Sequence, residues 1–315
     1  MPATILVITR PCDITADFVI WELLQRDGVE VHRFDTADLV TGAVTVRAHL
    51  TDNGWRGTLS DRYRQTDLSS VRSIWWRKPS GYGQHSDTPE QAWVAAEAEY
   101  GFGGLLSALS NVHWVNHPHR NRYADDKPLQ LALASSLGLT VPPTTITNDP
   151  ATAANRATAM KTIYKPFRAG LRLPDGSRTM LYADAVEADE LGAGVAGAAH
   201  QFQGQVDCDY SVRLTSVGDR LFGVRIDSPS RAIDWRADHD DLRYRPIDVP
   251  SDVALGVRTL NRTLGLTYSA SDWVITPDGR WVFLENNPNG QWAWLEDARG
   301  PITTALADEL IEGAS

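Results

Sequence analysis

The opening of the chain constrains the fold more than any other stretch. Residues 4–9 (TILVIT) form an unbroken apolar and β-branched run, the pattern of a strand covered on both faces. Residues 16–25 follow with apolar side chains at helical spacing, Phe18, Ile20, Leu23 and Leu24, and Gly28 stands where a helix stops. Residues 29–34 return to strand character. Strand, helix and strand in that order predict a parallel sheet. A polar, Gly- and Thr-rich region to about residue 67 reads as short strands and turns. The unit then closes with a buried strand at 73–76 (SIWW), a long helix at 92–109 and a last strand at 112–115.

Asn116-His117-Pro118 breaks the chain and marks a domain boundary. Beyond it the pattern predicts a helix over 124–137 closed by Gly138, strands at 144–147 and 162–165, and a loop at 168–178 carrying Arg168, Arg172 and Arg178. From residue 201 short strands dominate, at 210–217, 220–226, 268–275 and 280–284, with one helix at 252–264.

With 315 residues the chain fills about two domains and has ample core without staples. Two cysteines, Cys12 and Cys208, are too few for a thiolate cluster, and they argue against an oxidised scaffold. The net charge of −10 argues against a nucleic-acid partner. The first residues lack a basic leader and a cleavage site, and no run approaches the ~20 apolar residues of a membrane span. These features predict a soluble cytoplasmic protein. The total charge hides opposed patches. Residues 161–180 carry five basic side chains against Asp175, whereas residues 181–200 carry four acidic ones and no basic ones. Local potential governs binding, so an anionic ligand is expected at the basic loop after Lys165.

The segment 270–294 (ASDWVITPDGRWVFLENNPNGQWAW) is the most informative chemically. Thr276-Pro277-Asp278-Gly279 is turn chemistry between two apolar runs, which predicts a β-hairpin. Centring the turn on Pro277 and Asp278 pairs Asp272 with Phe283 and puts Glu285 diagonally across from Asp272. Asn287 joins them, because residues two apart on a strand share a face. Two carboxylates and an amide oxygen are hard ligands suited to Mg²⁺. A lone Asp/Glu pair would read more readily as edge charges satisfied by an arginine. The flanking tryptophans and valines argue for buried strands, where ionised groups need a strong partner, and this favours a metal site.

Basic candidates lie upstream. Lys165 ends a strand beside the Gly-containing loop, as a phosphate ligand would, and a solvated basic surface explains it equally well. Lys127, early in its helix, reads by itself as a surface lysine. Arg213 and Arg225 sit within apolar strands, where an arginine has an anionic partner, either a protein carboxylate or a ligand; Asp227 is a candidate for Arg225. Phosphate-loop, dinucleotide, nucleophile-elbow and HExxH motifs are absent from the sequence. Cys208, between two aspartates, is not in the setting of an activated nucleophile.

Taken in order, Lys127, Lys165, the segment 201–206 (QFQGQV), Arg213, Asp272 and Glu285-Asn286-Asn287 resemble the ATP-grasp ligases over roughly residues 4–305. The stretches WWRKP at 75–79, residues 116–127, residues 162–166 and LENNPNGQW at 284–292 narrow this resemblance. They are similar to the graspetide (microviridin-type) maturases of ribosomal peptides. The resemblance implies an α/β (α+β) fold in three parts: an N-terminal parallel-sheet pre-ATP-grasp domain (1–117), a small central subdomain (118–200) and a C-terminal antiparallel-sheet subdomain (201–315).

The same resemblance assigns nucleotide binding to Lys127, Lys165, Gln201, Phe202, Gln203 and Val206. It assigns Mg²⁺ to Asp272, Glu285 and Asn287, and catalytic roles to Lys165, Arg213 and Arg225. ATP and Mg²⁺ are the implied cofactors. The implied partner is a precursor peptide with a leader and an acidic, Thr-containing core, with no nucleic acid and no membrane. Members are commonly homodimers. The implied reaction activates an Asp or Glu side chain as an acyl phosphate, which a Thr or Ser hydroxyl or a Lys amine of the same peptide attacks. Rival readings are an ATP-grasp ligase joining two separate molecules and a nucleotide-binding protein without chemistry. The sequence departs from the wider fold at Ser211, where an acidic residue is frequent, and at Cys208, where a lysine is frequent.

Overall fold

The computed structural model describes residues 3–83, 88–168, 170–173, 177–230, 233–238 and 241–313. Strand β1 (Ala3–Ile8), helix α1 (Ile14–Leu23) and strand β2 (Val29–Phe34) form the expected parallel unit. After α2 (Thr36–Thr41), the polar region folds into β3 (Thr45–Thr51), β4 (Gly54–Ser60) and β5 (Gln65–Asp67), an antiparallel sheet of their own. Strand β6 (Val71–Trp76) returns beside β1. Helices α3 (Pro89–Ala98) and α4 (Gly104–Ser107) are joined by a π-helical turn at Glu99–Gly103, and β7 (His113–Val115) completes the sheet in the order β2-β1-β6-β7. Alternate side chains of β1 feed two cores. Ile5 and Val7 pack on one face, Leu6 and Ile8 on the other, which is why the run is apolar without a break.

The helix expected over 124–137 is two helices, α5 (Pro118–Ala124) and α6 (Lys127–Ser136). Pro128 lies in the first turn of α6; a proline lacks the N–H a helix interior needs, so it starts a new helix instead of continuing the old one. The chain continues through β8 (Thr144–Thr147), α7 (Pro150–Ala159), β9 (Thr162–Tyr164), β10 (Gly170–Arg172), β11 (Arg178–Met180), β12 (Asp184–Val186) and β13 (His200–Gly204). The side chains of Arg172 and Arg178 lie outside those described.

The central sheet runs in the order β12-β9-β13-β8. Strand β13 is registered against both β8 and β9, so the central sheet runs through Gly204 and a boundary at 200 would cut its middle strand. Helices α5 and α6 instead pack on the C-terminal unit, where Ala124, Leu131 and Ala134 share a core with Val257, Trp273 and Phe283.

That last unit comprises β14 (Tyr210–Val217), β15 (Arg220–Asp227), β16 (Arg243–Ile247), α8 (Ser251–Leu264), β17 (Tyr268–Ile275) and β18 (Trp281–Asn287), in an antiparallel sheet ordered β16-β15-β14-β17-β18. Helix α9 (Glu296–Glu312), not expected from the residue pattern, follows. It carries Ile302, Leu306 and Leu310 back into the core under β1 and α1, so the end of the chain locks the first unit to the last. Asn116, expected only as a break, is a buried hub. Its amide nitrogen donates to the carbonyls of Tyr268 and Pro288 and to Asn121 Oδ1, and its oxygen accepts from the backbone of Thr267 and Tyr268. The domain junction is thereby tied to the start of β17 and to Pro288, just past the end of β18.

Candidate active site

The hairpin brings the two carboxylates closer than its sequence implies. Ile275 pairs with Trp281 and Trp273 with Phe283, then the register shifts, and Asp272 lies directly opposite Glu285. Leu284 is the extra residue of this β-bulge, which corrects the expected pairing of Asp272 with Phe283. Asn287 Nδ2 reaches Asp272 Oδ2 at 3.3 Å and Glu285 Oε1 at 3.4 Å, both long for hydrogen bonds. The intervening Asn286 points the other way, where its backbone N–H donates to Gln130 and its side chain to Asn261.

Cations close on this pair from three elements. Lys127, first in α6, and Lys165, just past β9, both meet Glu285 Oε2, at 3.1 and 3.2 Å. Arg213 of β14 meets Asp272 Oδ1 at 3.3 Å, and its guanidinium lies near the rings of Trp294 and Trp235, at 5.8 and 6.0 Å. Burial pushes the Glu285 carboxyl up, but Lys165, Lys127 and Arg236 outweigh it and hold the group well below the usual glutamate range. Asp272 goes the other way. Burial and the charge of Glu285 raise it, and Arg213 offsets only part of this.

These residues line or adjoin a cleft of about 1430 Å³. Its walls include Lys78 from the first unit and Arg236, Tyr244 and Trp294 from the last. Arg77 is buried beside it and donates to the carbonyl of Asn289 at 2.6 Å, pinning the loop after β18. In that loop Gly290 has no room for a side chain, because a Cβ would stand 2.3 Å from Ala270 Cβ. A second cavity, of about 200 Å³, is lined by Ile163, Gln203, Val206, Val274 and the bulged Leu284.

The structure does not treat all sequence candidates alike. Lys127, Lys165, Arg213, Asp272, Glu285 and Asn287 converge. Gln203 and Val206 reach the smaller cavity. Phe202 faces instead into a small core with Ala153 and Val195, and Gln201 is buried, its carbonyl accepting the Lys165 N–H. Arg225 is registered with Val212, one step from Arg213, and therefore projects from the opposite face of the sheet. There it pairs with Asp227 at 2.6 Å and lies over the Tyr210 ring at 3.7 Å. Lys78, Arg236, Asn116 and Gln130 were not singled out as functional residues. Lys78 and Asn116 lie in stretches that carry the resemblance, but no role was read for them, because the positions of all four depend on contacts distant in sequence.

The donor set fits a divalent cation that takes few protein ligands. Among the described residues no group of three or more His, Cys, Asp or Glu could hold a metal. Two facing carboxylates and an amide are what remains, and this suits an ion that completes its shell with phosphate and water oxygens.

A parallel-sheet unit followed by two antiparallel sheets is the arrangement of the ATP-grasp fold. Residues 4–122 match the family described as the MvdD pre-ATP grasp domain. The chain is similar to a RiPP-associated ATP-grasp ligase of Chryseobacterium gregarium, solved in complex with ADP and a leader and core peptide, at 25% identity and a TM-score of 0.88 over 99% of this chain and 98% of that one. It is similar to the macrocyclase MdnC of Microcystis aeruginosa MRC, solved bound with the precursor peptide MdnA, at 25% identity and a TM-score of 0.83 over 98% and 99% of the two chains. The macrocyclase MdnB of the same organism matches at 26% identity and a TM-score of 0.81, again over 98% and 99%. None of the curated protein sequences matches. In overall fold and in its first domain the chain is similar to the RiPP-associated ATP-grasp ligases. No helix among the described residues is long and apolar enough to cross a membrane.

Proposed function

We propose that this protein is an ATP-dependent macrocyclase of a ribosomally made precursor peptide. The observation that carries the reading is the opposed pair Asp272 and Glu285, with Lys127 and Lys165 closing on it, inside a cleft of about 1430 Å³ that has room for a nucleotide and a peptide segment. A carboxylate oxygen of a peptide Asp or Glu attacks the γ-phosphorus, the bond to the bridging oxygen breaks, and ADP leaves. A Thr or Ser hydroxyl, or a Lys amine, of the same peptide then attacks the acyl carbon. Phosphate leaves and takes up the proton, and the peptide is one water lighter.

The chain's residues supply positioning and charge. Asp272, Glu285 and Asn287 would hold Mg²⁺, which when bound neutralises charge on the phosphates. Lys127 and Lys165 would turn from Glu285 to the phosphates, and Arg213 would follow the transferring phosphoryl group. Ile163, Gln203, Val206 and Leu284 shape the smaller cavity for the adenine base, with Gln201 and Phe202 fixing the strand behind it. Trp235 and Trp294 help to keep water from the acyl phosphate. Arg225 has no role here, because its face of the sheet is turned away.

The reading includes a homodimer in the cytoplasm. Helix α3 has no buried residue and leaves Trp93 64% exposed, a face that a second copy would cover. Light scattering measures this directly.

The test is incubation of purified protein with ATP, Mg²⁺ and an acidic, Thr-containing peptide, first the one encoded beside its gene. ADP release with loss of one water per ring supports cyclisation. A product carrying an added partner would make the protein an intermolecular ligase. No ADP release with any acidic peptide would leave a nucleotide-binding protein without this chemistry.

A further inference from the structure

One cation of the cleft differs from its neighbours. Lys127 and Lys165 are paired with Glu285, Arg213 with Asp272, and Arg236 with Asp234. Arg77 lies 3.7 Å from Asp13 and donates to the Asn289 carbonyl. Arg122 and Arg168 are exposed at the rim. Lys78 is half-buried and lines the cleft, yet its ammonium makes no ion pair or hydrogen bond among the described residues.

Its setting makes this costly. Lys78 leaves β6 at the C-terminal edge of the parallel sheet, where the loop after β1 also begins; the backbone N–H of Arg10 donates to its carbonyl. Burial, then the charges of Arg77, Arg10 and Arg213, push the ammonium down to about 8 against the pull of Asp13. Asp13 is itself buried and already accepts from the Thr9 hydroxyl at 2.7 Å. A positive charge held among positive charges, out of bulk water, is stabilised only when an anion joins it. Arg213 points the same way, since its Nη1 is buried without a hydrogen-bond partner.

The cleft thus has two cationic poles separated by opposed carboxylates. Lys127 and Lys165 stand on the Glu285 side, and Lys78 stands with Arg213 on the Asp272 side. Phosphoryl transfer needs the attacking and leaving oxygens roughly in line, on opposite sides of the phosphorus. We infer that Lys78 binds the peptide side-chain carboxylate that attacks the γ-phosphate, and so selects acidic substrates. The identity of that carboxylate rests on the macrocyclase reading. Glutamine in the same place would leave the ammonium unpaired, which is the basis of the selection.

The test uses the whole protein with its lysines ¹³C-methylated, which keeps their charge. The Lys78 signal is assigned by its loss in Lys78→Arg. With Mg²⁺ and a non-hydrolysable ATP analogue present, N-acetyl-glutamate methylamide is expected to shift the Lys78 signal saturably, whereas the glutamine counterpart leaves it in place. A Lys78 signal indifferent to the glutamate probe, while Lys127 or Lys165 responds to nucleotide, overturns the inference. In turnover with an acidic peptide, Lys78→Met should lower kcat/KM for the peptide about 10- to 100-fold, chiefly through KM, with nucleotide affinity unchanged and partial recovery in Lys78→Arg. An unchanged KM for the peptide also overturns it. Failure of the macrocyclase reading looks different: the Lys78 signal still responds, but no peptide loses water.

Discussion

Lys127 and Lys165 close on the same atom, Oε2 of Glu285, at 3.1 and 3.2 Å. One lysine comes from a helix packed on the C-terminal sheet and the other from just past the end of β9, an inner strand of the central sheet. They are further linked where Lys127 donates to the Pro166 carbonyl at 3.2 Å. Glu285 therefore fixes both lysines that we propose as phosphate ligands, so that stability and the proposed function depend on one carboxylate.

Glu285→Gln is expected to destabilise the protein by about 3 kcal/mol, because it leaves two largely buried ammonium groups without their partner. Denaturant unfolding at neutral pH measures this. The folded-state pKa of Glu285 lies below its ordinary 4.5, so its contribution is present above 4.5 and is lost as pH falls through the lower value. The difference between wild type and variant should shrink over that acidic range. Peptide-dependent ADP release should fall at least about 100-fold.

Asp272→Asn should move stability in the opposite direction. Burial and Glu285 raise the Asp272 pKa above its ordinary 3.8. Its favourable contribution is therefore present below 3.8 and is lost as pH rises through the folded value. In EDTA at neutral pH the ionised group is a net cost, and Asp272→Asn should raise the thermal midpoint while abolishing Mg²⁺-dependent ADP release. A lowered midpoint would mean that the Arg213 pair outweighs burial.

Gly290→Ala tests the loop that follows the carboxylate strand. The new methyl would meet Ala270 Cβ at 2.3 Å and come within 3.4 Å of Arg213 Nη1. A loss of about 1–3 kcal/mol is expected from the overpacking, with reduced ADP release. Ala270→Gly in the same chain should restore much of both.

Asn116→Ala should cost at least about 3 kcal/mol, since it strands two backbone N–H groups and two carbonyls in the interior. Limited proteolysis should then cut near the junction of the first and last units.

Arg213→Met and Arg225→Met separate the two strand arginines. The first should lower peptide-dependent kcat by about 100-fold, as expected for loss of a group that stabilises transition-state charge. The second should act through stability alone, because Arg225 pairs with Asp227 on the other face of the sheet.

The order of elements was legible wherever the reason for an element was local. The parallel opening follows from an apolar run whose alternate side chains feed two cores, and the hairpin follows from Thr276-Pro277-Asp278-Gly279. Pro128 is a local signal that splits α5 from α6 within an otherwise continuous helical pattern. Helix α9 was hidden by Arg299-Gly300-Pro301, which interrupts its helical pattern although tertiary packing on α1 holds it. Strand β13 was placed beyond a boundary that its pairing with β8 and β9 crosses.

By itself the sequence determined which side chains could do chemistry: two carboxylates and an amide on one strand face, lysines at the starts and ends of elements, and arginines within strands. Only the tertiary structure decided how they meet. A one-residue bulge at Leu284 put Asp272 opposite Glu285, and strand register sent Arg213 into the cleft and Arg225 away from it. Lys78 lines the cleft because helix α9, the Asn116 hub and the Arg77–Asn289 hydrogen bond fasten the first unit to the last. Periodicity records which face a residue takes within its own element; the pairing of elements far apart in the chain is set by packing that no local pattern encodes.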